Sequence, residues 1–185
     1  MSSASDLIWI NGPFGGGKSS VANALVNRLD GAVLFDPEHV GYLLREILPV
    51  PTGDFQDLPQ WRDLWVRTAS TLIDHGAQVV VMPMSVHRHD YFEQVSDGLR
   101  STGAGLCHVV LDVSEPMLHR RIDLAADEPP HTKAWRAGKV SAFMAARDWL
   151  IAEASLTVTT DGLSAEAVAA EIAQQFTELA GTIAS

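Results

Sequence analysis

The apolar positions of this chain fall into short unbroken runs, separated by stretches in which they recur every three or four residues. The runs are Leu7-Ile8-Trp9-Ile10, Ala32-Val33-Leu34-Phe35, Gln78-Val79-Val80-Val81-Met82, Cys107-His108-Val109-Val110-Leu111-Asp112 and Leu156-Thr157-Val158-Thr159. Their length and continuity predict five strands, the first over about 6–11, with the second and third buried. Val21, Leu25, Val26 and Leu29 predict a helix over about 17–29. Val40, Leu43, Leu44 and Ile47 form the apolar face of a second helix. It opens at Asp36-Pro37-Glu38, with Asp36 as cap, Pro37 in the first helical position and Glu38 in the first turn. Trp61, Leu64, Trp65, Ala69, Leu72 and Ile73 mark a third helix over about 58–75. Further helices are predicted over about 88–101, after Ser114, up to about 152, and over 164–181 behind a Ser164 cap. Residues 1–5 read as a loose tail, 48–54 as a loop, and 125–135 as a loop or broken helical excursion. Strands alternating with helices imply one α/β domain, a parallel sheet covered on both faces.

Between the first strand and the first helix lies Gly12-Pro13-Phe14-Gly15-Gly16-Gly17-Lys18-Ser19. This is the G-x-x-x-x-G-K-[ST] pattern of a phosphate-binding loop (Walker A), in the strand–loop–helix context it requires. Glycines let the backbone curl until its N–H groups share one concavity, and the helix N-terminus adds the positive end of its dipole. Gly12, Phe14, Gly15, Gly16, Gly17, Lys18, Ser19 and Ser20 are therefore the candidate nucleotide-binding residues. Lys18 would reach the β- and γ-phosphates of ATP, and the Ser19 hydroxyl would bind Mg²⁺.

Composition narrows the choice of partner. The formal net charge of the 185 residues is −10, with 46% hydrophobic and 19% charged residues. A broadly acidic surface repels nucleic acid and anionic lipid. The single cysteine, Cys107, heads an apolar run and reads as a core residue. No secretory signal and no run of transmembrane length is seen, so the expected location is cytoplasmic.

Ligands of open parallel sheets bind beyond the carboxyl ends of the strands. The second strand ends at Asp36, a candidate to accept a proton from an attacking hydroxyl or to orient Mg²⁺. Asp112 imitates a Walker B aspartate after the fourth strand but reads better as a strand-end residue. His87 and His89, two apart in a loop, are weak as a metal pair. Arg121 precedes the 125–135 excursion. Lys133, Arg136 and Lys139 follow or fall within it, and two of the chain's three lysines are among them. Cations on a flap over about 125–139 would close over a triphosphate and offset transition-state charge, with Arg121 the foremost candidate. Candidate acceptor-binding residues are Asp36, Arg45, Trp61 and Met84. Trp65 is assigned to the core, and Trp61 to an apolar wall of the acceptor pocket.

Ile8-Trp9-Ile10-Asn11-Gly12-Pro13-Phe14-Gly15-Gly16-Gly17-Lys18 resembles the opening of the tunicamycin-resistance proteins of the TmrB type. So do Phe35-Asp36-Pro37-Glu38, Asp54-Phe55-Gln56 with Trp61, and Val81-Met82-Pro83-Met84. The likeness covers roughly residues 7–175. It implies a three-layer P-loop NTPase fold like that of nucleoside monophosphate kinases, with five parallel strands in the order 2-3-1-4-5. It also implies ATP binding and an association with resistance to tunicamycin, a uridine-containing nucleoside antibiotic. Chloramphenicol phosphotransferase, shikimate kinase and gluconate kinase share the layout more distantly. Some relatives associate with membrane through a C-terminal amphipathic segment. This sequence ends Gly181-Thr182-Ile183-Ala184-Ser185 without a basic amphipathic extension, so membrane attachment is not expected.

These features lead to an ATP- and Mg²⁺-dependent phosphotransferase acting on a small-molecule hydroxyl, with tunicamycin a candidate acceptor. In it Lys18, Asp36 and Arg121 carry catalysis, and Ser19 and Asp36 hold the metal. The alternative is a protein that binds ATP and sequesters a drug without transfer. A GTPase-type switch is disfavoured, since there is no N-K-x-D motif and Thr132-Lys133-Ala134-Trp135 is a poor substitute. Oligomeric state is not legible.

Overall fold

The computed structural model describes residues 6–124 and 130–183, with side chains over 6–124 and 138–179. Five strands, β1 (Asp6–Asn11), β2 (Ala32–Leu34), β3 (Val79–Pro83), β4 (Gly105–Asp112) and β5 (Leu156–Thr159), form one sheet. Every pairing is parallel and the order is β2-β3-β1-β4-β5, which is the implied order 2-3-1-4-5. Among the described residues seven helices accompany them: α1 (Lys18–Val26), α2 (Glu38–Ile47), α3 (Pro59–Asp74), α4 (His89–Arg100), α5 (Glu115–Leu124), α6 (Pro130–Ala152) and α7 (Ala165–Ile183). A short 3₁₀ turn, Phe55–Asp57, leads into α3.

Both faces of β1 are buried, as its central place demands. Successive side chains of a strand point to opposite faces, so Leu7 and Trp9 join one core and Ile8 and Ile10 the other. The first core lies under α3 and α4, where Trp9 meets the edge of Trp65 at 4.9 Å and stacks on Phe92 at 5.2 Å. The second holds Leu25 of α1 and Ile172 of α7. A third joins Val110 of β4 to Leu118 and Ile122 of α5 and Phe143 of α6.

Two expectations change. The 32–35 run does not form a buried strand: β2 is the sheet's outer strand, pairing only with β3, and Leu34 is 41% exposed. Four apolar residues in a row cannot reveal that a strand has a neighbour on one side only. The helix expected after residue 135 instead begins at Pro130. Proline suits a first helical position because that N–H has no intrahelical acceptor to lose. Residues 125–129 lie outside the described residues, as do the side chains of Lys133 and Arg136. Lower on α6, Arg147 grips Asp112 at the end of β4 with two bonds of 2.7 Å. Such a bidentate pair uses the Asp112 carboxylate to tie a helix to the sheet.

Candidate active site

The carboxyl end of β1 runs straight into the glycine loop. Gly12, Gly15 and Gly17 have φ of 144°, 76° and 91°, a region costly to residues with a Cβ. A Cβ on Gly12 would also lie 2.9 Å from the Leu111 carbonyl oxygen. Helix α1 begins without a side-chain cap and with no acidic residue in its first turn. Its leading N–H groups thus keep their donors for an incoming anion. Lys18 is half-buried. Its Nζ donates to the Pro13 carbonyl at 2.8 Å and to that of Gly12 at 3.5 Å, and lies 5.4 Å from the centre of the Phe14 ring. Ser19 and Ser20 are exposed at the start of α1.

The segment after β3 braces this loop. Met84 N–H donates to the Ile10 carbonyl, and the Trp9 indole donates back to Met84. The Asn11 side chain bonds both ways with the Val86 backbone and accepts from Gly12 N–H. Ser85 Oγ donates to the Gly12 carbonyl at 2.8 Å, and His87 Nε2 lies 3.0 Å from the same oxygen.

A cleft of about 810 Å³ opens beside the loop, within the usual range for small-molecule sites. Phe14, Lys18, Ser19 and Ser20 form one wall. Glu38, Tyr42 and Arg45, spaced one helical turn apart on α2, form another, and residues 52–56 with Pro83 and Met84 close the far side. Tyr42 is 48% exposed, donates its hydroxyl to Glu38 at 2.7 Å and meets Phe55 edge-on at 6.1 Å. Lys139 reaches across from α6 to Asp54 at 3.4 Å and lies 5.8 Å from the Phe14 ring.

Asp36 follows β2, half-buried, and its Oδ1 accepts the Glu38 N–H at 2.9 Å, capping α2. Burial raises its carboxyl above the ordinary aspartate range, against the Glu38 N–H and the Lys18 charge, which lower it. Arg121 leaves α5 on the other flank of the loop. It donates to the Gly16 carbonyl at 3.2 Å and to the Thr160 carbonyl at 2.8 Å, so it abuts the loop and does not line the cleft. Met84 and Arg45 line the cleft, Met84 with only 1% of its surface exposed.

Trp61 requires a correction. It is fully buried and donates its indole N–H to the Pro37 carbonyl at 2.9 Å, so it cannot touch an acceptor. It anchors the start of α2 instead. His89 is exposed and pairs with Glu93. Among the described residues, no group of three or more histidine, cysteine or acidic side chains could hold a metal. Of the two residues expected to hold Mg²⁺, Ser19 lines the cleft and Asp36, whose Oδ1 accepts the Glu38 N–H, does not; the carboxylates in the lining are Glu38 and Asp54. Such oxygen donors suit an ion with few protein ligands that keeps water and phosphate oxygens as the rest.

Glu38, Tyr42, Asp54 and Lys139 line the cleft as well, and of these only Lys139 is a candidate from the sequence. Tyr42 and Glu38 share a face with Arg45 and were visible as such. Lys139 with Asp54, and His87 with Gly12, meet only because the fold brings distant segments together.

No family model matches the chain, and no curated protein sequence does. Solved structures match over nearly its whole length. One is the tunicamycin resistance protein of Deinococcus radiodurans, with 27% identity, a TM-score of 0.69, and coverage of 94% of this chain and 96% of that one. The chain resembles a tunicamycin resistance protein. A gluconokinase from Sinorhizobium meliloti 1021 matches at 17% identity and a TM-score of 0.63, covering 99% of this chain and 97% of its own. The APS kinase of Mycobacterium tuberculosis, solved with AMPPNP and APS, matches at 17% and 0.56, covering 94% and 98%. The fold is that of the P-loop kinases. Among the described residues no helix is long and apolar enough to cross a membrane.

Proposed function

We propose that this protein transfers the γ-phosphoryl group of ATP, with Mg²⁺, to a hydroxyl of a small molecule, and that tunicamycin is a candidate acceptor. One observation carries the reading. The phosphate loop forms one wall of a cleft whose opposite walls, α2 and residues 52–56, leave room for a second molecule beside the phosphates. Mg²⁺, when bound, would be held from the protein side by Ser19 and Asp36 and would offset the charge of the phosphates.

The acceptor oxygen would attack the γ-phosphorus while the bond to the bridging oxygen breaks and ADP leaves. Asp36 would take the hydroxyl proton. Its burial moves its affinity for protons toward that of a working base. Lys18 would exchange its loop carbonyls for phosphate oxygens, and the uncapped N–H groups of α1 would hold the same oxygens. Ser19 would hold the metal. Arg121, bonded to the Gly16 carbonyl, would offset charge from the flank of the loop. The start of α6, over 130–139, would act as a lid, with Lys139 at its base.

The 27% identity to a tunicamycin resistance protein favours a nucleoside antibiotic as acceptor. The test is to incubate the protein with ATP, Mg²⁺ and tunicamycin, and with a panel of hydroxylated compounds, and follow them by mass spectrometry and phosphorus NMR. A product heavier by one phosphoryl group, formed together with ADP, supports transfer. Tight binding of tunicamycin with ATP left intact would replace transfer by sequestration.

A further inference from the structure

The Gly12 carbonyl is approached by three donors. Ser85 Oγ lies at 2.8 Å, His87 Nε2 at 3.0 Å and Lys18 Nζ at 3.5 Å. A carbonyl only accepts, so the neutral ring carries its proton on Nε2. Ser85 is buried, and His87 is wedged between the edge of Phe14, 5.9 Å away, and Phe143, 5.5 Å away. Neither side chain is used by the chemistry proposed above, yet both aim at the first residue of the phosphate loop across 73 and 75 positions of sequence.

We infer that His87, supported by Ser85, is a positioning residue for the phosphate loop, acting through Lys18. The inference rests on the phosphate-site reading. Any phosphate drawn into the loop must pull Lys18 from the carbonyls of Gly12 and Pro13. If Lys18 were the main donor to Gly12, its departure would strand a buried carbonyl, and that desolvation would oppose binding. With Ser85 and His87 in place the Gly12 carbonyl stays satisfied when Lys18, the most distant of its three donors, leaves it. Burial, with the charges of Lys18 and Lys139, pushes the His87 imidazole down to about 4. The ring therefore donates as a neutral group and adds no second fixed cation to compete for the phosphate.

Calorimetric titration with AMPPNP and Mg²⁺ tests this as a double-mutant cycle, with thermal melting measured on every variant. His87→Leu is expected to bind the analogue roughly five- to tenfold more weakly than wild type, the scale of one hydrogen bond. His87→Gln, which returns an N–H donor, should recover most of that loss. In a Lys18→Met background, His87→Leu should cost little further affinity, because no lysine remains to be released. Ser85→Ala should behave like His87→Leu and keeps the test open if one variant folds poorly. Equal affinity of wild type and His87→Leu would overturn the assignment. So would an equal loss with and without Lys18, or no rescue by Gln in a variant that melts normally. If wild type itself fails to bind the analogue, the phosphate-site reading falls and the assignment with it.

Discussion

Lys18 rests on the carbonyls of its own loop, at 2.8 Å from Pro13 and 3.5 Å from Gly12. These are neutral acceptors, which a phosphate outbids because charge-assisted bonds are about twice as strong. Lys18→Ala should therefore abolish transfer and sharply weaken ATP binding while leaving the melting temperature close to wild type. A folded mutant with unchanged affinity and turnover would remove the loop from the mechanism. Asp36 has two duties, a cap and a proposed base, and one substitution separates them. Asp36→Asn should keep α2, since Asn caps about as well as Asp, but slow transfer about a hundredfold or more. In the wild type, transfer should decline with falling pH through a value above the ordinary aspartate range. The base must be ionised, and burial has raised its pKa. A mutant as fast as wild type would leave Asp36 as a cap alone.

At the scale of elements, the α2 wall of the cleft is a mounted part. Helix α2 is fastened at its start by the Trp61 indole and packs Gly41 directly on the Phe55 ring, where a Cβ would come within 2.5 Å of ring carbons. The 3₁₀ turn is held in turn by Arg62, which donates to the Gln56 carbonyl and to Gln94, and by the Gln56 amide on the Ser85 carbonyl. Gly41→Ala should push α2 off this support and destabilise the fold by about 1–3 kcal/mol, the usual cost of overpacking. Urea unfolding measures it, and an unchanged midpoint would show that the wall yields freely. In α6, backbone hydrogen exchange over 130–139 should slow on adding AMPPNP and Mg²⁺ if this segment closes as a lid, while β1 stays protected throughout. Identical exchange with and without the analogue would exclude closure. The alternation of strands and helices was legible because buried strands and amphipathic helices leave different periods in sequence. The glycine loop between β1 and α1 was legible because the G-x-x-x-x-G-K-[ST] pattern fixes both residue types and spacing. Trp61 lies beside a loop, but its helical spacing decides its place. Four residues from Trp65 on one helix face, it shares the core with it. The contact of His87 with Gly12 was not legible. It follows from the register that sets Ile10 beside Pro83, which no local pattern records.

For the molecule as a whole, stability should depend on pH through two imidazoles. His108 is buried against Trp9 and Phe92, its Nδ1 on the Glu153 carbonyl and its Nε2 without a partner. Burial pushes it down to about 4, and His87 likewise, from an ordinary 6.5. Between those values the unfolded chain binds protons that the folded chain refuses. Stability is therefore full above about pH 6.5 and falls as pH drops toward 4, by up to about 1.4 kcal/mol per histidine per pH unit. Urea titrations at pH 7, 5.5 and 4.5 should show this slope, and His108→Leu should reduce it by about half, leaving the share of His87. The same interior holds an aromatic series of another use. Trp65 lies 5.3 Å from Trp61, Trp61 5.3 Å from Phe55, and Phe55 6.1 Å from Tyr42, ring centre to ring centre. Tyr42 faces the cleft, and the tryptophans are sealed behind it. Light absorbed by this tyrosine has buried acceptors close by, so the protein contains its own optical reporter of the acceptor site. A ring docking on Tyr42 should dim the tryptophan emission excited through tyrosine, without any label and without any chemistry taking place.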